Sequence, residues 1–350
     1  MSRKTCVGWD LGGAHIKAVR IDAAGVVEAV AQVPCPLWQG LDRLQDGIER
    51  VLSVLAEPEA RHAVTMTGEL VDLFDDRACG VEALVGAMRR RFPDADLKIF
   101  GGLDGLLDPG AAVAASEQVA SANWLATASF LASRLPAGLL VDIGSTTTDL
   151  VPFSDGRTTA CGYSDRERLE QEELVYTGVV RTPVMSLAPR VPLGGQWVPL
   201  MAEHFATTAD VYRLTEDLPS HADLLPSADG REKSVAASAR RLARMVGADA
   251  IPSDLPKWRR LASFFAERQL RNIADACGRI FSRDGCPQDA PLVGAGIGRF
   301  LAKRLAERLQ RPYLAFDGFF RSSHREGFGV ADCAPAAALA SLAAGGFHGI

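Results

Sequence analysis

The chain lacks a C-x-x-C pair. Its seven cysteines, at 6, 35, 79, 161, 277, 286 and 333, are scattered and odd in number. That excludes a zinc ribbon or a disulfide framework and suits the reduced thiols of a cytoplasmic protein. No apolar run reaches the ~20 residues of a membrane span. The opening MSRKTCVGWD enters a strand pattern almost at once, with no signal peptide expected. There is no G-x-S-x-G elbow and no Walker sequence, so serine-hydrolase and P-loop readings have no foothold. Nor is there a basic excess: 38 Lys and Arg are mixed among 43 Asp and Glu, for a net charge of −5. A nucleic-acid partner would need a basic face, and none is expected. Arg89–Arg91 closes a helix, where cations suit the dipole, and Arg240–Arg241 and Arg259–Arg260 read as solvated faces.

What is present is enough for two full cores: 350 residues, 47% of them hydrophobic. One stretch organises the chain, LLVDIGSTTTDLVP from Leu139 to Pro152. An apolar strand delivers Asp142, a Gly144-Ser145-Thr146-Thr147 turn follows, and a second strand begins with Asp149 nearby. Backbone N–H groups and hydroxyls in such a turn can cradle phosphate oxygens, with Asp142 placed for a divalent cation. Read alone, it is equally an ordinary hairpin with a polar turn. A second copy of the pattern argues for more. CVGWDLGGAHIKAVR, from Cys6 to Arg20, aligns Asp10 with Asp142, Gly12 with Gly144 and Lys17 with Asp149. Each copy runs on through a turn, Asp22–Gly25 or Ser154–Gly156, into a further short strand. Duplication at a spacing of about 130 residues predicts two related domains with phosphate hairpins facing across a cleft.

In chain order the pattern predicts strands at 5–9, 16–21 and 26–33, a helix over 41–55, a strand at 63–66, a helix over 81–91, a strand at 97–100 and a helix over 121–133. The second unit is expected to repeat the opening with strands at 139–143, 148–153 and 158–161. Residues 166–173 read as an exposed charged loop or short helix, and 186–200 as irregular. Helices follow over 205–214 and 234–246, with Ser234 a candidate N-cap, and residues 255–281 contain a long helix whose helical spacing is clearest after Trp258. A strand at 291–293, a helix over 299–309, a strand at 313–316 and a small-residue helix over 334–344 complete the chain, with a frayed tail at 345–350. The expected domains are 1–137, onto which the 334–344 helix is available to pack back, and 138–350.

The candidate phosphate ligands are Asp10, Gly12, Gly13 and Lys17 in the first hairpin and Gly144, Ser145, Thr146 and Thr147 in the second. The glycines permit close backbone approach and Lys17 brings positive charge. Asp10, Asp142 and Asp149 are the candidate metal carboxylates. Glu69, in Thr67-Gly68-Glu69-Leu70 after a strand, is either a general base or substrate-amine contact or an exposed loop glutamate. His15 is a second candidate base or a hydrogen-bonded bystander. Asn123 and Trp124 read as a substrate wall or, for the tryptophan, as core. Arg181 either meets an anionic substrate or lies in a surface loop. Gly294-Ala295-Gly296-Ile297-Gly298, between a strand and a helix, is a ligand-touching turn or simply a tight connection. It resembles a dinucleotide fingerprint only loosely, because its late position in the chain is wrong for a unit that normally opens a βαβ start.

The duplicated hairpin with a late glycine turn resembles the actin-like ATPase superfamily. The resemblance implies an α/β, duplicated ribonuclease H-like fold of two domains with a central cleft, the glycine turn at Gly294–Gly296 serving adenosine. GWDLGGAHIKA, TGEL, SANW, DIGSTTTDLVP, YTGVVRTPV and ATTADVYRL are more specific. They resemble the hydantoinase/oxoprolinase-related branch, and within it the proteins of tetrahydromethanopterin-linked C1 transfer and methanofuran synthesis. That resemblance implies a transferase joining a furanylmethyl diphosphate to a γ-glutamyltyramine-like phenol as an aryl ether; Mg²⁺ is expected near Asp10 and Asp142, and ATP is left open but not expected to be needed. Homo-oligomerisation is left open. The rivals are an ATP-using kinase or hydantoinase-type hydrolase, and a nucleotide-dependent chaperone-like scaffold.

Overall fold

A computed structural model describes residues 4–55, 59–283, 287 and 289–345. The chain opens with strands β1 (Cys6–Leu11), β2 (His15–Ile21) and β3 (Val26–Pro34), then helix α1 (Leu41–Leu55), β4 (Arg61–Met66), α2 (Arg77–Arg91), β5 (Leu97–Phe100) and β6 (Leu106–Leu107). Short helices α3 (Pro109–Ala114) and α4 (Ser116–Val119) lead to α5 (Asn123–Ala132). The second hairpin is β7 (Ala137–Ile143) and β8 (Thr148–Ser154), followed by β9 (Arg157–Thr158), α6 (Asp165–Glu170), β10 (Leu174–Val175), β11 (Arg190–Leu193) and β12 (Gln196–Pro199). Helices α7 (Thr208–Leu214), α8 (Val235–Arg244) and α9 (Leu255–Phe281) precede β13 (Leu292–Ala295), α10 (Arg299–Arg308), β14 (Tyr313–Ala315), β15 (Arg321–Ser322) and α11 (Ala334–Gly345). Local chemistry explains several boundaries. Asp76 accepts from the Cys79 N–H at the start of α2, Ser234 caps α8 through the Ala237 N–H, and Thr207 forms a capping box with Asp210 on α7.

The first sheet has the order β15-β3-β2-β1-β4-β5-β6. β1, β2 and β3 form an antiparallel meander, and β4 and β5 run parallel to β1 and to each other. The second sheet repeats that order as β10-β8-β7-β13-β14, with β9 also paired to β8. The duplication read from the two aspartate hairpins is therefore a duplication of sheet topology.

Two compact units result: Met1–Leu140 with Val151–Asp165 and Leu314–Ile350, and Val141–Leu150 with Arg166–Tyr313. The boundary differs from one at 137/138, because the chain passes through β7 and β8 and later returns to the first unit. In that unit Val7, Trp9 and Leu11 share a core with residues of α1 and α2, such as Leu44, Ile48, Leu84 and Met88. On the opposite face, a Cβ on Gly8 would sit 2.0 Å from the Ala336 carbonyl of α11. Only glycine lets this alanine-rich helix lie against the strand. The second unit packs α7, α8 and α9 through Val211, Leu214, Leu242, Trp258, Leu261 and Phe265.

Three expectations are corrected. Residues 190–199 form the hairpin β11–β12, with Gly194 and Gly195 at φ of 58° and 80° making the turn. Arg168 and Glu173 are buried although their neighbours are charged, Arg168 because it meets Asp149 at 2.9 Å. Arg241 is not on a solvated face; it is fully buried, 2.8 Å from Asp210 and 3.0 Å from Asp229. In each case an ion pair or turn chemistry overrides the polarity of the local segment. Residues 346–350 of the expected tail, and Cys286, lie outside the described residues.

Candidate functional site

In the first unit the Gly12–Ala14 turn joins β1 to β2, and the Gly12 N–H donates to the His15 carbonyl at 3.0 Å. Asp10 and Lys17 are cross-strand partners, with Nζ and Oδ2 3.9 Å apart. Asp10 is buried and Lys17 half-buried. His15 is buried at the start of β2. The turn is closed by its neighbours: the Leu37 N–H donates to the Gly13 carbonyl at 3.0 Å, and a Cβ on Gly13 would meet Val71. Gly68 lies against the Leu11 carbonyl. The Thr67–Leu70 segment, carrying Glu69, is thereby stacked on the first glycine turn.

Glu69 is not an exposed loop residue; it is 1% exposed. Gly80 of α2 packs on its backbone, where a Cβ would approach Glu69 Cα to 2.7 Å. The Ser121 hydroxyl donates to Glu69 Oε1 at 2.8 Å and lies 3.3 Å from Asp165 Oδ2, which pairs with Arg77 at 2.9 Å. Burial pushes the Glu69 carboxyl above its ordinary range; the Ser121 bond opposes this, Asp165 reinforces it and Arg77 opposes it. Ser121 has φ of 53°, a left-handed conformation costly for a non-glycine residue. Asn123 opens α5, its Oδ1 accepting from the Trp124 N–H. Trp124 is buried with its ring edge-on to Tyr163 at 6.0 Å.

In the second unit the Gly144–Thr147 turn is closed by the Gly144 N–H donating to the Thr147 carbonyl at 2.9 Å. Two glycine segments hold it. The Val179 N–H donates to the Gly144 carbonyl, and the Val180 and Arg181 N–H groups donate to the Ser145 carbonyl. A Cβ on Gly178 would lie 2.4 Å from the Thr146 nitrogen. A Cβ on Gly296, which has φ of 78°, would lie 2.5 Å from Asp142 Oδ1. The Gly298 N–H donates to the Ile143 carbonyl at 2.8 Å. Gly294 sits within β13 against the Tyr313 ring. The exposed Arg181 guanidinium lies 3.4 Å from Thr146 Oγ1, and Ser145 and Thr146 hydroxyls are 3.3 Å apart. Ser145, Thr146 and Arg181 thus form a hydroxyl and guanidinium cluster suited to an anion. Asp149 meets the Arg168 guanidinium.

Sequence reasoning missed the bolt behind this turn. Buried Gln269 of α9 donates to Thr177 Oγ1 at 2.7 Å and to the Gly178 carbonyl at 2.8 Å, and accepts from the Tyr212 hydroxyl at 2.5 Å. Thr182 and Thr208 also donate to the Gly178 carbonyl. Ser121, Asp165 and Gln269 stand far in sequence from what they touch. Ser121 does fall within SANW, and Gly178 within YTGVVRTPV, so the stretches were visible and the roles were not.

Among the described residues, no three His, Cys, Asp or Glu side chains gather as a metal group, and no helix is long and apolar enough to cross a membrane. A family model described as Hydantoinase/oxoprolinase matches residues 61–335. The chain is 31% identical over 244 residues to a (4-{4-[2-(gamma-L-glutamylamino)ethyl]phenoxymethyl}furan-2-yl)methanamine synthase of Methanocaldococcus jannaschii, covering 69% of this chain and 72% of that protein. A synthase of the same name from Methanococcus vannielii is 32% identical over 111 residues, covering 32% of this chain and 50% of that protein. Among solved structures, nucleotide-free acetone carboxylase superposes with a TM-score of 0.57 at 12% identity, covering 97% of this chain and 70% of that one. With the repeated sheet order, that likeness identifies the actin-like α/β fold.

Proposed function

The chain belongs to the hydantoinase/oxoprolinase family, and from that premise we propose that it is a transferase of methanofuran-type cofactor biosynthesis. Its substrates are (5-(aminomethyl)furan-3-yl)methyl diphosphate and γ-glutamyltyramine or a similar tyramine-type phenol. The phenol oxygen forms a bond to the furanylmethyl carbon, the carbon–oxygen bond to diphosphate breaks, and diphosphate leaves with the electron pair. The furan stabilises positive charge at the methylene, so the protein's work is orientation and charge neutralisation. The observation carrying this reading is the Ser145–Thr146 turn with Arg181 beside it, a built anion cluster in a chain whose relatives are named as synthases of a phenoxymethylfuran. Ser145, Thr146 and Arg181 take the diphosphate oxygens, while Lys17 with the Gly12–Gly13 turn is the first unit's own candidate for an anion. Glu69 receives the phenol proton, with His15 the second choice. Asn123 and Trp124 stay on the substrate side as a wall of the phenol site.

Mg²⁺ suits the carboxylate near the end of β7. It binds through one or two carboxylates plus phosphate oxygens and water, not through a protein cage. The absent Cβ of Gly296 leaves room at Asp142 Oδ1. Asp142 would hold the ion, which would supply charge neutralisation to the departing diphosphate. Asp149, engaged by Arg168, is assigned to shaping its turn.

The deciding experiment measures diphosphate release from the furanylmethyl diphosphate with Mg²⁺ and no ATP, with and without γ-glutamyltyramine. Phenol-dependent release with an ether product by mass supports the transferase. Gly296 beside Asp142 favours one alternative, an ATP-using kinase or hydrolase with its nucleoside at Gly294–Gly298. Turnover that appears only with ATP would move the chain there. Asp142→Asn is expected to abolish turnover with unchanged circular dichroism; near-normal turnover in that folded variant would remove Asp142 from the site.

A further inference from the structure

Glu69 presents a difficulty for a base: its carboxyl is 1% exposed, closed in by Gly80 behind it. Its contacts offer a way out. The Ser121 hydroxyl lies 2.8 Å from Glu69 Oε1 and 3.3 Å from Asp165 Oδ2. Burial falls along the row, from Glu69 through Ser121 at 7% to the Asp165 side chain at 19%. Glu69 Oε2 is buried and has no hydrogen-bond partner among the described residues. Arg77 supplies the counter-charge at 2.9 Å on the same Asp165 oxygen that faces Ser121, which leaves Asp165 Oδ1 for another partner. Ser121 holds its hydroxyl there in a left-handed backbone conformation, a departure from relaxed geometry located at the junction of two carboxyl groups.

We propose that Asp165, Ser121 and Glu69 form a proton relay in which Asp165 meets the proton donor and Glu69 stores the proton. This rests on the ether-synthase reading and assigns the path of the phenol's proton within it. As the phenolic O–H bond breaks, its proton passes to Asp165 and the oxygen keeps the electron pair that forms the ether bond. Rotation of the protonated Asp165 carboxyl exchanges its two oxygens, so that the new O–H donates to Ser121 Oγ while the Ser121 hydroxyl proton moves to Glu69 Oε1. Ser121 is left a hydroxyl, Asp165 a carboxylate and Glu69 a neutral acid. The direction suits the groups: the hydroxyl already donates to Glu69, and a neutral Glu69 is what its burial favours. Reversal of the relay after product departure returns the proton to water through Asp165.

Two readouts test this. The first needs no turnover: a ¹³C-carboxyl NMR titration of Glu69, assigned with Glu69→Gln, in the wild type and in Ser121→Ala, Ser121→Gly and Asp165→Asn. The groups facing Glu69 are Ser121, Asp165 and Arg77. Removing the hydroxyl is expected to move the Glu69 titration upward, equally in the alanine and glycine variants, although glycine also relaxes the backbone. Asp165→Asn, which deletes a negative charge and releases Arg77, is expected to move it downward. A Glu69 titration unmoved by all three variants overturns the relay whatever the chain's activity. The second readout is kcat for diphosphate release. Each single variant is expected to lose about 100-fold or more, with KM little changed, and Ser121→Gly/Asp165→Asn is expected to lose no more than the worse single variant. Additive losses, or recovery in Ser121→Gly, would make Ser121 a structural residue and overturn the relay. A chain that fails to turn over the furanylmethyl diphosphate but shows the opposed NMR shifts refutes the substrate assignment and leaves the hydroxyl-bridged carboxyl pair standing.

Discussion

Arg181 carries two different kinds of contact at once. Its backbone N–H holds the Ser145 carbonyl at 2.8 Å, which any residue but proline could do, while its guanidinium alone reaches Thr146. Arg181→Ala therefore separates turn shape from charge. It is expected to raise KM for the furanylmethyl diphosphate by about tenfold, the scale of one charge-assisted contact, with the melting temperature unchanged. An unaltered KM would place Arg181 outside the anion site. Glu69 makes a separate prediction about stability. Its folded-state proton affinity is raised, chiefly by burial. Its contribution to stability is thus fully present below the ordinary carboxylate range and is lost as pH rises through its own higher value. Glu69→Gln does not titrate and escapes that loss. Denaturation curves at increasing pH above the ordinary glutamate range should show the variant gaining on the wild type; a constant difference would contradict the raised affinity.

At the scale of elements, the second turn is shaped from behind. Gly178 touches the Ser145–Thr146 backbone, and its carbonyl accepts from Gln269, Thr182 and Thr208. Gly178→Ala would drive a methyl into the Thr146 nitrogen, a backbone atom that cannot rotate away. The turn must shift as a body, and misplacement of about 1 Å in a positioning element can lower the rate by about a hundredfold. The expected result is a large loss of turnover with α7, α8 and α9 intact by hydrogen exchange. Full activity in this variant would show that the turn's position is not used.

For the whole molecule, the discontinuity of the first unit has a consequence for folding. Residues near the C-terminus complete a core begun by the first strand: α11 covers the Gly8 face of β1, and Ala334, Ala336–Ala338 and Leu339 are fully buried. A chain ending before Ala334 would expose both faces of that contact to water, several buried side chains at about 1 kcal/mol or more each. It is expected to lose soluble expression and to be cleaved within the first 140 residues by limited proteolysis. A soluble, protease-resistant truncation would show that the first unit is stable without its returning helix.

The periodicity of the chain was enough for the long elements. Helix 41–55 was legible to the residue, and a long helix within 255–281 was legible as such, because their apolar positions recur at helical spacing over several turns, and the duplicated aspartate hairpins announced the repeated sheet order. Motif spelling also located both turns, since glycine, serine and threonine next to a strand-end aspartate are local features. What tertiary structure alone decided were relations between distant residues. Arg241 and Arg168 look like surface charges until Asp210 and Asp149 are brought to them. Glu69 looks like a loop carboxylate until α2 closes over it and Ser121 is delivered from another segment. Local sequence encodes backbone preference and hydrophobic period, whereas burial, charge pairing and proton affinity depend on which remote groups exclude water from a side chain.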